Sequence, residues 1–298
     1  MMCAVDIDAD TGSAAPCAHA PSARITVRRV RADAGADEGG CIGDAQAEDA
    51  LAEEVPVALE YNGVSHAVML ATPSDLAEFA LGFSLSEGIV ASPAEFYGVE
   101  IAHGAAGITA HIEIAAGAFM RLKERRRNLA GRTGCGLCGV DSLAQVVRPL
   151  AHLSAPLAPT RALSGAAIRR AVREARAQQP LNRLTGATHA ALWCGRDGAP
   201  RAAFEDVGRH NALDKLIGGL HAGRADLADG FVFITSRASV EMVQKAATVG
   251  IAAMVAISAP TALAVRTARD CGLTLVAFAR GDDFTVYAHG ANITMEAA

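Results

Sequence analysis

Cys135 and Cys138 form a C-x-x-C pair inside the run Gly131-Arg132-Thr133-Gly134-Cys135-Gly136-Leu137-Cys138-Gly139. Gly134, Gly136 and Gly139 remove side chains from around both thiols, so another protein or a bulky ligand can come close. Upstream, Arg121, Lys123, Arg125, Arg126, Arg127 and Arg132 stand against a single acid, Glu124. Nearby positive charge lowers a thiol pKa from about 8.5 toward neutrality, and the thiolate is the nucleophile. Three chemistries use such a pair. A zinc site needs two further ligands, usually another close Cys/His pair, whereas Cys3, Cys17, Cys41, Cys194 and Cys271 are scattered singly. A thioredoxin-like role wants the pair at a strand-to-helix junction. Sulfur transfer needs one cysteine to carry a persulfide and a second to assist or resolve it. The residues alone leave all three open.

Further polar groups sit where the hydrophobic pattern breaks. The run Phe204-Glu205-Asp206-Val207-Gly208-Arg209-His210-Asn211-Ala212-Leu213-Asp214-Lys215 reads as a turn entering a helix. Its first N–H groups, beside Arg209 and His210, suit an anion; capping by Asp206 with surface charge around it is the plainer reading. Arg237 and Lys245 read in the same plain way as solvated helix residues. Arg280 ends an apolar run next to Gly281, where a guanidinium offers paired donors to a phosphate or carboxylate.

Elements that could position these groups follow from periodicity. Residues 1–23 lack it and read as a disordered tail. Residues 24–30 alternate as a strand, and residues 32–54, with eight acids and no Lys or Arg, read as a solvated insertion. Residues 55–61 and 64–70 flank Asn62-Gly63, a hairpin signal. Thr72-Pro73 then predicts the N-cap and first residue of a helix running to Glu87 and closed by Gly88. Residues 108–114 alternate as a strand and lead through the basic stretch to the cysteines. Beyond a Pro-containing connection, residues 164–178 read as a helix and 188–194 as a strand with a turn at 195–198. Runs 231–235, 251–258 and 273–279 read as buried strands separated by helical segments at 240–249 and 260–270, with a last strand at 284–287. This alternation predicts an α/β fold whose sheet is mostly parallel with helices packed on it. Ligands of such sheets bind beyond the strands' carboxyl ends, here Thr235-Ser236-Arg237 and Phe278-Ala279-Arg280-Gly281-Asp282-Asp283.

Composition narrows the classes. The chain has 298 residues, a formal net charge of −5 and 51% hydrophobic residues, a globular profile that argues against nucleic acid as a partner. Seven cysteines without framework spacing suggest a reducing compartment. The N-terminus lacks a basic region and a long apolar core, so no signal peptide is expected. The longest apolar stretch, 251–259, falls short of the roughly 20 residues that cross a bilayer. The expectation is a cytoplasmic protein without membrane contact.

Taken together and in order, the 131–139 run, the 204–215 segment, Thr235-Ser236-Arg237 with Glu241-Met242-Val243-Gln244-Lys245, and Phe278-Ala279-Arg280-Gly281 closely resemble the formate dehydrogenase accessory sulfurtransferase family, FdhD. The resemblance runs from about Arg24 to the C-terminus. It implies a cytidine-deaminase-like C-terminal α/β domain over 160–298, a smaller N-terminal α+β subdomain over 24–148, and a homodimer. It implies a sulfur carrier, required for formate dehydrogenase activity, that moves sulfur from a cysteine desulfurase to the molybdenum cofactor before insertion into that enzyme. Cys135 matches the family's persulfide-bearing cysteine and Cys138 its partner. Phe278, Ala279, Arg280, Gly281, Asp282 and Asp283 match its segment for the bis(molybdopterin guanine dinucleotide) form of the cofactor, and no resident metal is implied. Two departures stand out: the insertion at 32–54, and acids at 282 and 283 where related chains often carry basic or small polar residues. The alternatives are a noncatalytic cofactor chaperone and a zinc nucleoside deaminase, since His111-Ile112-Glu113 upstream of Cys135 and Cys138 mimics H-x-E…P-C-x-x-C. Position 134 is glycine rather than proline, and His111 falls in a strand pattern.

Overall fold

Asn62 and Gly63 both take positive φ, 46° and 77°, as a mirror-image two-residue turn demands. They join β3 (Val55–Tyr61) to β4 (Val64–Ala71). The computed structural model describes residues 19–31, 43–129, 150 and 162–295. With β5 (Phe96–Gly104) and β6 (Gly107–Ile114), the hairpin builds a four-stranded sheet in the order β4-β3-β6-β5. Alternate residues Val57, Leu59 and Tyr61 of β3 and Ile108, Ala110 and Ile112 of β6 are buried. They pack against α1 (Leu76–Ser86).

Three expectations change in this half. Residues 43–52, read as part of a solvated insertion, form β2 (Gly43–Ala52), paired antiparallel with β1 (Ser22–Arg31). Acids of the run meet partners on β1: Glu48 accepts from the Thr26 hydroxyl at 2.7 Å and Asp49 pairs with Arg29 at 3.4 Å. Second, α1 starts at Leu76 after Asp75, not at Thr72. Thr72 is claimed by a distant segment instead, its N–H donating to Asp206 and its hydroxyl accepting from the Val207 N–H. Third, the basic stretch is itself the helix α2 (Ala116–Leu129), in keeping with the good helix propensity of Arg and Lys.

The second half holds a six-stranded sheet of β8 (His189–Gly195), β9 (Pro200–Asp206), β10 (Gly230–Ile234), β11 (Ala253–Ala256), β12 (Thr274–Arg280) and β13 (Asp283–Ala288). Its order is β13-β12-β11-β10-β8-β9. The sheet is mixed rather than mostly parallel: β10, β11 and β12 run parallel, while β8, β9 and β13 add antiparallel margins. Each parallel pair is joined through a crossover helix, α6 (Val240–Thr248) and α7 (Ala262–Cys271). The β8–β9 and β12–β13 links are short turns, which enforce antiparallel pairing. The sheet's other helices are α3 (Gly165–Ala175), α4 (Pro180–Thr185) and α5 (Arg209–Ala222).

Two buried clusters sandwich this sheet. Ile168 and Ala171 of α3 pack with Leu192, Phe233 and Val255 on one face. On the other, Leu213, Val243 and Ala268 join Trp193, Val232 and Met254 in a core that continues into Leu59 and Phe79 of the first half. The two halves therefore share one core. Their helices α1 and α5 meet through glycine: a Cβ on Gly82 would collide with the Asp214 carbonyl, and one on Gly218 with that of Glu78. Among the described residues, no helix is long and apolar enough to cross a membrane.

Candidate functional site

The topology carries the polar segments to one edge of the six-stranded sheet. β10 ends at Ile234 opposite Ala191, and β9 ends at Asp206 opposite His189. Because β11 and β12 run parallel to β10, their ends emerge beside it. Main-chain bonds continue past the strands, from Thr235 N–H to Ala190 O (3.0 Å), Ile257 N–H to Ile234 O (3.0 Å) and Phe278 N–H to Ser258 O (3.2 Å). This is the carboxyl edge at which α/β sheets bind ligands.

Residues 278–283 stand open there. Phe278 has φ 51°, an unusual value for a bulky side chain that marks strain held by its surroundings. A bulge between Ala277 and Arg280 accompanies it, and the residue is 43% exposed. Ala279 is buried. Arg280 donates from Nε to Ile257 O at 2.9 Å, which fixes the side chain while its terminal nitrogens have no partner among the described residues. Gly281 has φ 58° and open space where a Cβ would point, so backbone is accessible. Asp282 is drawn toward α3, its carbonyl accepting from Arg169 Nε (3.1 Å) and its carboxylate 3.6 Å from Arg173. Asp283 opens β13 and is exposed. A guanidinium, free backbone and an exposed ring suit an anionic ligand with a planar group.

The 204–215 segment divides between that edge and the interior. The expected cap is not made: the N-cap of α5 is Gly208 without a side-chain cap, and Asp206 accepts from the Gly208 N–H at 2.8 Å in the turn before the helix. Nor is Asp206 a surface charge. It pairs with Lys215 at 2.7 Å with both side chains at 0% exposure. Lys215 also donates to Thr72 O at 3.0 Å. Glu205 caps α4, accepting from the Leu181 and Asn182 N–H groups at 2.8 and 2.7 Å. Asp214 pairs with Lys245 at 2.8 Å and accepts from the Ser86 hydroxyl at 2.6 Å, while Lys245 also meets Glu87 at 2.8 Å. Lys245, read as solvated, is therefore buried; burial pulls its pKa down, but the Asp214 and Glu87 carboxylates outweigh this and hold it above its usual value. These contacts bind the first half to α5 and α6.

What stays at the edge is Arg209, His210, Ser236 and Arg237, of which Arg237 is exposed. His210 Nε2 lies 3.0 Å from Glu241 Oε2, a pair the sequence did not announce because its members sit on different helices. Burial, aided by Arg209, lowers the His210 pKa. His111 occupies an exposed strand position on β6, 3.1 Å from Glu60, and shares that face with Glu113. Among the described residues, no group of three or more His, Cys, Asp or Glu is arranged to hold a metal ion. Cys135 and Cys138 lie outside the described residues. Of the other cysteines, burial pushes the Cys194 thiol up to about 12 and raises that of Cys271, which leaves both inert as nucleophiles.

Comparison with known proteins adds a lineage to this geometry. A family model described as the FdhD/NarQ family matches residues 52–294. A sulfur carrier protein FdhD of Variovorax paradoxus (strain S110) is 54% identical over 241 residues, 81% of this chain and 85% of that protein. The sulfur carrier protein FdhD of Cupriavidus necator is 54% identical over 250 residues, covering 84% and 85%. The crystal structure of a protein assigned as a formate dehydrogenase accessory protein, from Desulfotalea psychrophila, superimposes with a TM-score of 0.67 at 25% identity, covering 91% of this chain and 99% of that one.

Proposed function

The chain belongs to the FdhD/NarQ family, and from that premise we propose that it is a sulfur carrier serving formate dehydrogenase. A cysteine desulfurase presents a persulfide, and the Cys135 thiolate attacks its outer sulfur. The desulfurase S–S bond breaks, Cys135 becomes the persulfide, and the desulfurase cysteine leaves as a thiolate. Cys138 supplies a second thiol to discharge that sulfur toward the acceptor. The acceptor is the molybdenum cofactor in its bis(molybdopterin guanine dinucleotide) form, held as cargo over residues 278–283 before formate dehydrogenase receives it. Arg280 meets its phosphates, and the backbone at Gly281 approaches them closely. The working unit is a cytoplasmic homodimer, and the six-stranded sheet with its flanking helices is the cytidine-deaminase-like element.

The observation that carries this reading is kinship over 81% and 84% of the chain with proteins named for sulfur carriage. The open carboxyl edge supports its ligand half. Incubation with desulfurase and cysteine should add about 32 Da, one sulfur atom, to the 135–138 peptide. Cys135→Ala should lose both that adduct and activation of formate dehydrogenase while still binding cofactor. Wild-type activation by Cys135→Ala would replace the carrier with a noncatalytic chaperone. Stoichiometric zinc released by His111→Ala and Cys135→Ala would replace it with a deaminase.

A further inference from the structure

Phe278 and Tyr287 each sit where the ladder between β12 and β13 slips. Leu275 pairs with Ala288 and Val276 with Val286, so Tyr287 has no counterpart on β12; Ala277 pairs with Thr285 and Arg280 with Asp283, so Phe278 and Ala279 together face Phe284. Bulges of this kind bend a strand and re-aim a side chain, and they gather next to active sites. Here the two bring an aromatic from each strand together, ring centroids 6.4 Å apart and planes inclined at 43°, within the range of attractive aromatic pairs. Tyr287 is the fixed member. It is half-buried and packs against the core, and its carbonyl accepts from Arg269 of α7 through Nε at 3.3 Å and a terminal nitrogen at 3.1 Å. Phe278 is the presented member. Its N–H donates to Ser258 O at 3.2 Å, its backbone takes φ 51°, and the residue is exposed. Glycine or asparagine adopts that φ more readily, so the chain accepts strain to keep a phenylalanine in the open.

Resting on the placement of the cofactor over residues 278–283, we propose that Tyr287 is a positioning residue, which props the Phe278 ring as a stacking platform for the planar base at the nucleotide end of the cofactor. Ala279 is buried while Phe278 and Arg280 are exposed, so a ring and a guanidinium are offered two residues apart on one strand. Arg280 is anchored through Nε on Ile257 O at 2.9 Å, one residue before the Ser258 carbonyl that holds Phe278, which fixes the spacing between them. Such a pair fits a ligand that joins a planar ring to a phosphate: the guanidinium takes phosphate oxygens with paired donors, and the phenyl ring takes one face of the base. An exposed side chain loses rotamer freedom when a ligand binds. The Tyr287 ring against Phe278 removes part of that cost in advance. The brace is the ring itself, since the Tyr287 hydroxyl has no partner among the described residues.

Calorimetric titration of the full chain with GDP, and with pyrophosphate, which lacks base and ribose, separates the two contacts. Phe278→Leu should weaken GDP by about 5- to 150-fold, the range for one base stacked on an aromatic ring. Tyr287→Leu should weaken it in the same direction by less, and both variants should leave pyrophosphate unchanged. Tyr287→Phe keeps the ring and should bind GDP as the wild type does. Phe278→Trp adds a second tryptophan to the buried Trp193, and GDP stacked on it should quench the added emission, less fully when Tyr287→Leu is combined with it. GDP affinity unchanged in Phe278→Leu and Tyr287→Leu, but reduced in Arg280→Ala, would overturn the platform alone. Equal loss of GDP and pyrophosphate in Tyr287→Leu would make Tyr287 a support of the turn and overturn its role toward the base. Absence of GDP binding to the wild-type chain would remove the cofactor from residues 278–283, and the platform with it.

Discussion

Asp206, Asp214 and Lys215 on the one hand, and Arg209 and His210 on the other, come from a single run of sequence and lead opposite lives. The first group is sealed from water, bound to Thr72 and Ser86 across the junction between the halves and to Lys245 on the neighbouring helix. The second lies at the carboxyl edge, where His210 meets Glu241 of α6 at 3.0 Å. In the interior a lone charge costs several kcal/mol, so each charge there is matched and bonded on every side. At the edge the groups are only partly covered, and a ligand there can meet them. A motif rich in acids and bases is thus two devices, one that joins the halves and one that meets a partner.

Cutting one buried pair should separate these devices most sharply. Lys215→Met strands the Asp206 carboxylate and should cost about 3–5 kcal/mol of unfolding free energy in urea. Adding Asp206→Asn removes the stranded charge and should recover part of that loss. A cost below about 1 kcal/mol, the range of exposed pairs, would show that the junction is wet.

The edge should respond in the opposite sense. Arg280→Ala should leave the urea midpoint in place and weaken GDP, used as a fragment of the cofactor, by about 1.5–3 kcal/mol, the worth of a hydrogen bond to a charged group. Calorimetric titration reads this directly. Unchanged affinity would move the ligand to Arg209 and Arg237.

Acidification should produce the smallest and broadest effect. Burial lowers the pKa of His189, His210 and His221, so the unfolded chain takes up their protons first as pH falls. Stability should hold above about pH 6.5, the ordinary histidine value, and decline below it. Each imidazole contributes at most about 1.4 kcal/mol per pH unit. Urea midpoints between pH 8 and 5 would show the decline, and His221→Gln, which removes a ring whose Nε2 is buried without a partner, should flatten it. A midpoint that rises on acidification would contradict the inferred direction.

Sequence by itself determined whatever depends on neighbours along the chain. The Asn62-Gly63 turn, the buried runs that became β10, β11 and β12, and the helices α6 and α7 between them are local patterns of φ preference and apolar spacing, and they placed Arg237 and residues 278–283 at strand ends. Tertiary structure decided whatever needed a partner far away. Thr72 gave up its expected cap for Asp206, and Lys245 left solvent for Asp214 and Glu87. The weakly apolar β9 became a strand because β8 offered it an edge, and His210 acquired Glu241 from the next helix. A side chain's burial and charge partners are fixed by where the chain returns, and in a shared core that position is set by packing of both halves at once rather than by any segment's own preference.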